Sequence, residues 1–392
     1  MGSPVFLRIF YPEPIKFWKK YPKAGTVSSM PGIVTHSKVL KDSIALLSRR
    51  KKKSYLHRSI QALFNSDEYL TAGLFGSIGP NIFDYLPLKK FSAPFGSDIS
   101  FYLHNGGSAA MSGSMIDRVF SYPDKNNEWA AFQRAYLYGF ISHVVADSIF
   151  HPFVFFFSGF PDSDLRRERI LYRERNLLFQ YNIDNYFRFH DEERTPFSLE
   201  GMLPVDRRRI RPRRINQPVK ALIMESLLDC RPEFVKSLAV RLPFVRSGEN
   251  DLGDYNILDA APWCVRAAYR LKFTMSERVR SIVGEIRRRD RFFSDFFVLY
   301  PERKKLNRDA LNFHGERWQY PAGRPGSLYD SVEALMRACC EKTVDAWERL
   351  EAGLYGDIGR AAAKDLDVNA YTGEARAGYG DMRHKNPLRL RL

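Results

Sequence analysis

The chain has 392 residues, 44% of them hydrophobic and 27% charged, which excludes a mostly disordered chain, a collagen and a polytopic membrane protein. Lys plus Arg (61) exceed Asp plus Glu (45), a formal charge of +16. That balance favours polyanionic partners without choosing among nucleic acid, phospholipid headgroups and phosphorylated metabolites, and a plain basic surface gives the same sum.

Residues 1–29 are rich in Pro, Lys and aromatics and show no periodicity, so a loose extension is expected there, without the architecture of a signal peptide. The stretch MPGIVTH from Met30 looks like the start of a folded unit, and translation from Met30 would place Pro31 near the chain start. Apolar spacing predicts helices over 37–48 and 54–64. Gly79-Pro80 marks a helix end and a tight loop. Helices follow at 108–120, 129–157 and 164–189. The stretch 135–160 is long enough to span a bilayer, but it carries His143, Asp147 and His151. A central Asp costs about 2.5–3.5 kcal/mol on insertion, so it is read as a buried soluble helix and no transmembrane helix is expected.

The folded core is set at 30–203, followed by an Arg/Pro-rich connector at 204–218. Its Arg207, Arg208, Arg209, Arg211, Arg213 and Arg214 are either a solvated link or a contact for phosphate or an anionic membrane surface. A C-terminal helical region at 219–364 packs on the core, with helices at 219–229, 231–240, 254–288, 290–299 and 327–352. Residues 365–392 read as a flexible tail. No β-alternation and no internal repeat is evident, so the class is all-α. Cys230, Cys264, Cys339 and Cys340 lack CxxC spacing, which suits a reducing, cytoplasmic compartment.

His143, Asp147 and His151 follow H-x3-D-x3-H. Steps of four advance about 40° beyond a full turn, so the three form one stripe about 12 Å long. His143 and Asp147 can grip one metal, Asp147 can bridge to a second, and His151 suits another site or orients a ligand. The plainer alternative is a buried His–Asp hydrogen-bonded pair, but three polar groups in an apolar helix each carry a desolvation cost. His36, the Gly79–Asp84 turn and the loop residue His104 add weaker support.

Together MPGIVTH, GSIGPNIF, His104 and YLYGFISHVVADSIFHPF resemble the zinc-dependent phospholipase C family, whose helical fold is shared with the zinc-dependent single-strand nucleases. The resemblance continues weakly through 176–184 and LNFHGERWQYP. It implies a helical bundle with a metal cleft, extended here by further C-terminal helices, and phosphodiester hydrolysis by metal-activated water. Carried over, His36, His104, His143 and Asp147 match the core metal ligands, with Asp147 bridging and catalytic, and His151 matches a ligand of the remaining metal.

The sequence departs from that pattern at three positions. Asn81 stands where the family turn has Asp, and Asn176 and Gln180 stand where it has His and Glu. One or two zinc ions are therefore expected in the core site, with the third site lost. Asp84 is a possible substitute ligand, and His190 a distant replacement for Asn176. Three readings follow: a phosphodiester or phospholipid hydrolase; a non-catalytic relative binding a phosphorylated ligand, a lipid surface or a protein; and nucleic-acid binding, favoured least because no aromatic-interleaved motif accompanies the arginines.

Overall fold

The computed structural model describes residues 32–50, 55–86, 95–161, 166–190, 197–203, 215–238, 257–273, 282, 285, 300, 306–323, 326–354 and 367–388. The 1–29 extension, Met30, Pro31, the arginines of 207–214 and the helix expected at 290–299 lie outside them. Helices α1 (Ile33–Arg49), α2 (Tyr55–Phe64), α3 (Asp67–Ile78), α4 (Phe95–Tyr102), α5 (Ser108–Ser121), α6 (Glu128–Ser158), α7 (Arg166–His190), α8 (Gln217–Cys230), α9 (Pro232–Leu238), α10 (Ala261–Phe273) and α11 (Val332–Leu354) follow in chain order. The described residues form no β-strand, and an isolated antiparallel bridge joins Trp318 and Leu328. The class is all-α, as the missing alternation implies.

The axis of the fold is α6. Asn127 starts it by accepting from Ala130 N at 2.9 Å, and nearly every residue from Ala130 to Ser158 is buried. Among the described residues α6 alone is long and apolar enough to cross a membrane, and 94% of its apolar window is buried inside the fold. Helices α1, α3, α5, α7, α8 and α11 surround it. Its closest neighbour is α3, and glycine permits the approach: a Cβ at Gly139 would sit 1.9 Å from the Gly73 carbonyl oxygen.

One apolar core runs from Ile33 to Leu354, so the regions expected at 30–203 and 219–364 share it. The α11 residue Trp347 donates from Nε1 to the Tyr138 carbonyl at 2.9 Å, inside the bundle. The stretch 367–388, expected within a flexible tail, is built into the fold as a strap. Its main-chain N–H groups at Asn386 and Leu388 donate to the Phe156 and Phe157 carbonyls at 2.8 and 2.7 Å. Those carbonyls belong to the last turn of α6, where a helix leaves acceptors open. The strap also meets α6 at Pro152, which has no N–H for the Ser148 carbonyl: Gly373, at φ +71°, packs so closely there that a Cβ would lie 2.5 Å from that oxygen.

Candidate metal centre

Five side chains from three parts of the chain meet, four histidines around Asp147. His36 comes from the first turn of α1, His104 from a widened turn (Leu103–Gly107) between α4 and α5, and His143, Asp147 and His151 from α6. All five are at most 1% exposed. The carboxylate is shared evenly. Oδ2 lies 2.8 Å from His143 Nε2 and 3.0 Å from His104 Nε2, while Oδ1 lies 3.2 Å from His36 Nε2 and 3.4 Å from His151 Nε2. His36, His143 and Asp147 offer donor atoms that all lie within 4.8 Å of one another, a group that could hold a metal ion.

The elements dictate how each imidazole stands. Gly79, at φ +59°, ends α3, and a Cβ there would strike the His143 ring at 2.4 Å. The free carbonyl of Ser77 in the last turn of α3 lies 3.0 Å from His143 Nδ1. His104 Nδ1 pairs with the Ser100 carbonyl at 2.6 Å. His151 Nδ1 pairs across 219 residues with the Ala370 carbonyl of the strap at 2.9 Å. A carbonyl only accepts, so each of these rings carries its proton on Nδ1 and turns the Nε2 lone pair inward.

Inside the cluster, acceptors therefore face acceptors. His143 Nε2 and His104 Nε2 are 3.3 Å apart. Both oxygens of Asp147, His151 Nε2 and both nitrogens of His36 are buried without a hydrogen-bond partner. Such a set is costly when empty of positive charge and suits a cation. A tetrahedral ion with bonds of about 2.0–2.1 Å holds its ligand atoms about 3.3–3.4 Å apart, close to the separations seen.

Burial lowers the His143 and His151 pKa values to about 4 and about 3, with Asp147 opposing it, so both rings are neutral at neutral pH. At His104 burial also works against the charged form, but the neighbouring Asp147 carboxylate and the Ser100 carbonyl prevail and its pKa is raised. For Asp147 itself burial favours the protonated form, yet the surrounding imidazoles hold it well below the usual carboxylate range.

The remaining expected residues divide. Asp84 is not in the cluster; it accepts from Ser100 Oγ at 2.8 Å and so stands behind His104. Asn81 is buried, with neither its amide oxygen nor its nitrogen partnered. Gln180 donates to Asn176, and Asn176 donates to Ser158 Oγ at 3.1 Å, so two neutral amides satisfy each other where a third metal's ligands were sought. His151 does not join them. One helical turn beyond Asp147, it turns back to the same carboxylate. His190 is exposed at the end of α7, 5.5 Å from the Tyr186 ring.

Three contributors carried no usable signal in the sequence. Asp184 of α7 is fully buried and accepts from Thr35 N at 2.9 Å, Thr35 Oγ1 at 2.6 Å and Tyr300 Oη at 2.8 Å, pinning the start of α1 and with it His36. Burial raises its pKa against the pull of those hydrogen bonds. Tyr371 stacks on both His104 and His151, with centroids 5.4 and 5.6 Å apart. Asn105 Oδ1 accepts from Asn369 Nδ2 at 2.9 Å and Tyr379 N at 2.8 Å, tying the strap to the turn that carries His104. Comparison with models of protein families, with curated proteins and with solved structures finds no match to this chain.

Proposed function

We propose that the chain is a zinc protein of the phospholipase C kind and hydrolyses phosphodiesters at the Asp147 cluster. One observation carries this reading: four imidazoles converge on a single buried carboxylate, three of them with their outer nitrogens tied to backbone carbonyls. Imidazole nitrogen with carboxylate oxygen is a donor set that zinc favours. His104, His143 and Asp147 Oδ2 would hold one ion, and His36, His151 and Asp147 Oδ1 a second. Bound zinc supplies a water of pKa near ~7 and polarises a phosphoryl oxygen.

The chain's own residues set the stage. Ser77, Ser100 and Ala370 hold three rings in one tautomer, Asp184 positions the helix of His36, and Tyr371 keeps water from two of the imidazoles. Two divalent ions against one carboxylate leave a local charge of roughly +3, which an anionic phosphodiester offsets. Replacing the third site by Asn176 and Gln180 limits the centre to two ions.

A second reading, in which the metal only fastens the fold, is favoured by the near-complete burial of all five ligands. The two readings separate in one experiment. Protein purified without added metal is assayed for zinc by elemental analysis, and for cleavage of bis(p-nitrophenyl) phosphate and of phosphatidylcholine vesicles. Two zinc equivalents, with turnover abolished in Asp147→Asn, is the expected result. Zinc without turnover establishes the fastening role, and protein that takes up no zinc even when supplied with it overturns both.

A further inference from the structure

At the end of the strap, a groove of about 470 Å3 is lined by Arg317, Trp318, Arg383, His384, Lys385 and Asn386 among others. It shares no residue with the metal cluster. Its volume falls within the range of about 300–1,000 Å3 typical of small-ligand sites. None of the described residues lining it is acidic.

Its donors are held in place by the backbone. Arg317 Nη2 donates to the Gly326 carbonyl at 3.2 Å, and Arg383 Nη1 donates to the Gly380 and Met382 carbonyls, both at 2.7 Å. These bonds fix both guanidiniums without neutralising them, and both side chains are exposed. A guanidinium offers five N–H donors, so each keeps most of its fork for a ligand. Lys385 plays a different part: its Nζ donates to the Phe160 carbonyl at 2.7 Å and lies 4.7 Å from the Tyr172 ring centroid, which secures this stretch of strap.

His384 adds an imidazole to the same lining. Two fixed guanidiniums and an imidazole make a wall of donors that calls for a compact anion with several acceptor oxygens.

We propose that this groove binds a phosphate group, with Arg317 and Arg383 as its principal contacts. The chemistry is shared by free phosphate, phosphate esters and phospholipid headgroups. The proposal stands apart from the reading of the metal centre, since it rests on different residues.

The test uses the full chain and two probes. Inorganic phosphate is titrated calorimetrically, and phosphatidic acid and phosphatidylcholine vesicles are tested by co-sedimentation. The variants are Arg317→Gln with Arg383→Gln, and the charge-preserving pair Arg317→Lys with Arg383→Lys. The expected result is phosphate binding that weakens roughly tenfold or more in the Gln pair and is partly restored in the Lys pair, at unchanged metal content and melting midpoint. Binding only to phosphatidic acid vesicles, lost in the Gln pair, assigns the lipid headgroup as the source of the phosphate. Equal binding by the wild type and the Gln pair, or no binding of either probe by the wild type, overturns the proposal.

Discussion

Asp147 gives two imidazoles to each of its oxygens, and this division makes the ligands separable by substitution. His104→Ala or His143→Ala should remove one equivalent of zinc, and His36→Ala or His151→Ala the other. Asp147→Asn keeps the shape but removes the shared charge, so it should lose both while far-UV circular dichroism stays helical. Elemental analysis of the five purified variants checks the pattern; an equal partial loss in all four histidine variants would contradict the pairing. Asn81 offers the opposite experiment. Its amide is buried and unpartnered, and it stands two residues from Gly79, which abuts the His143 ring. Asn81→Asp adds a second carboxylate to a region poor in negative charge. Zinc retention during dialysis against a chelator should lengthen about tenfold or more, the scale on which ligand-sphere changes act; faster loss than in the wild type would show that the position faces away from the metal.

Among the elements, the crossing of α3 and α6 is the tightest constraint, because the ligand-bearing turn of α6 and the Ser77 carbonyl are set by the same contact. Gly139→Ala would push a methyl into the Gly73 carbonyl and should cost about 3 kcal/mol, at the upper end of ordinary overpacking. Denaturant unfolding measures it, and a change below about 1 kcal/mol would mean that the helices can separate freely. The same elements show what a sequence discloses. The stripe of His143, Asp147 and His151 was legible because a helix places every fourth residue on one face, and α1, α5, α7, α8 and α11 around it followed from their apolar spacing, whereas α3 was marked only by its end at Gly79-Pro80. The place of His151 was not legible, since spacing leaves open whether a ring turns back to Asp147 or on to Asn176. The anchors were not legible either: Ser77, Ser100 and Ala370 act through backbone carbonyls, which every residue possesses. The strap was hidden because NAYTGEARAGYGD has no period; its order comes from Asn105 and the open carbonyls of α6, far away in the chain.

For the molecule as a whole, the cluster ties stability to pH. His143 and His151 have folded-state pKa values of about 4 and about 3 against 6.5 when exposed. Between those limits the unfolded chain binds protons that the folded chain refuses, so unfolding is favoured as pH falls. His104, with a raised value, works in the opposite sense, contributing stability below pH 6.5 that fades as pH rises through its folded value. Asp98 and Asp184, whose pKa values burial raises, act in the same sense as His104, and the two lowered rings set the larger trend. Asp147 adds in the same direction as the pair below pH 3.8, where its depressed value makes its protonation costly. The melting midpoint of metal-free protein should therefore fall steadily from pH 6.5 to pH 4. The slope should flatten in a variant carrying His143→Gln and His151→Gln, and calorimetric scans at several pH values would detect this. A midpoint that rises over that interval would show that the raised groups, His104, Asp98 and Asp184, dominate.

The bond between His151 and Ala370 spans 219 residues, and that separation has a meaning in time. A ribosome adding about 5–20 residues per second exposes the histidines of α6 roughly 10–45 seconds before the strap can reach them. During that interval the cluster lacks the Ala370 carbonyl that holds His151 and the Tyr371 ring that stacks on His104 and His151. On the zinc reading proposed above, loading therefore belongs to the biography of the nascent chain more than to the equilibrium of the finished one. Zinc supplied during synthesis or refolding should be captured quickly and kept, whereas zinc offered to the completed fold must wait for the strap to lift.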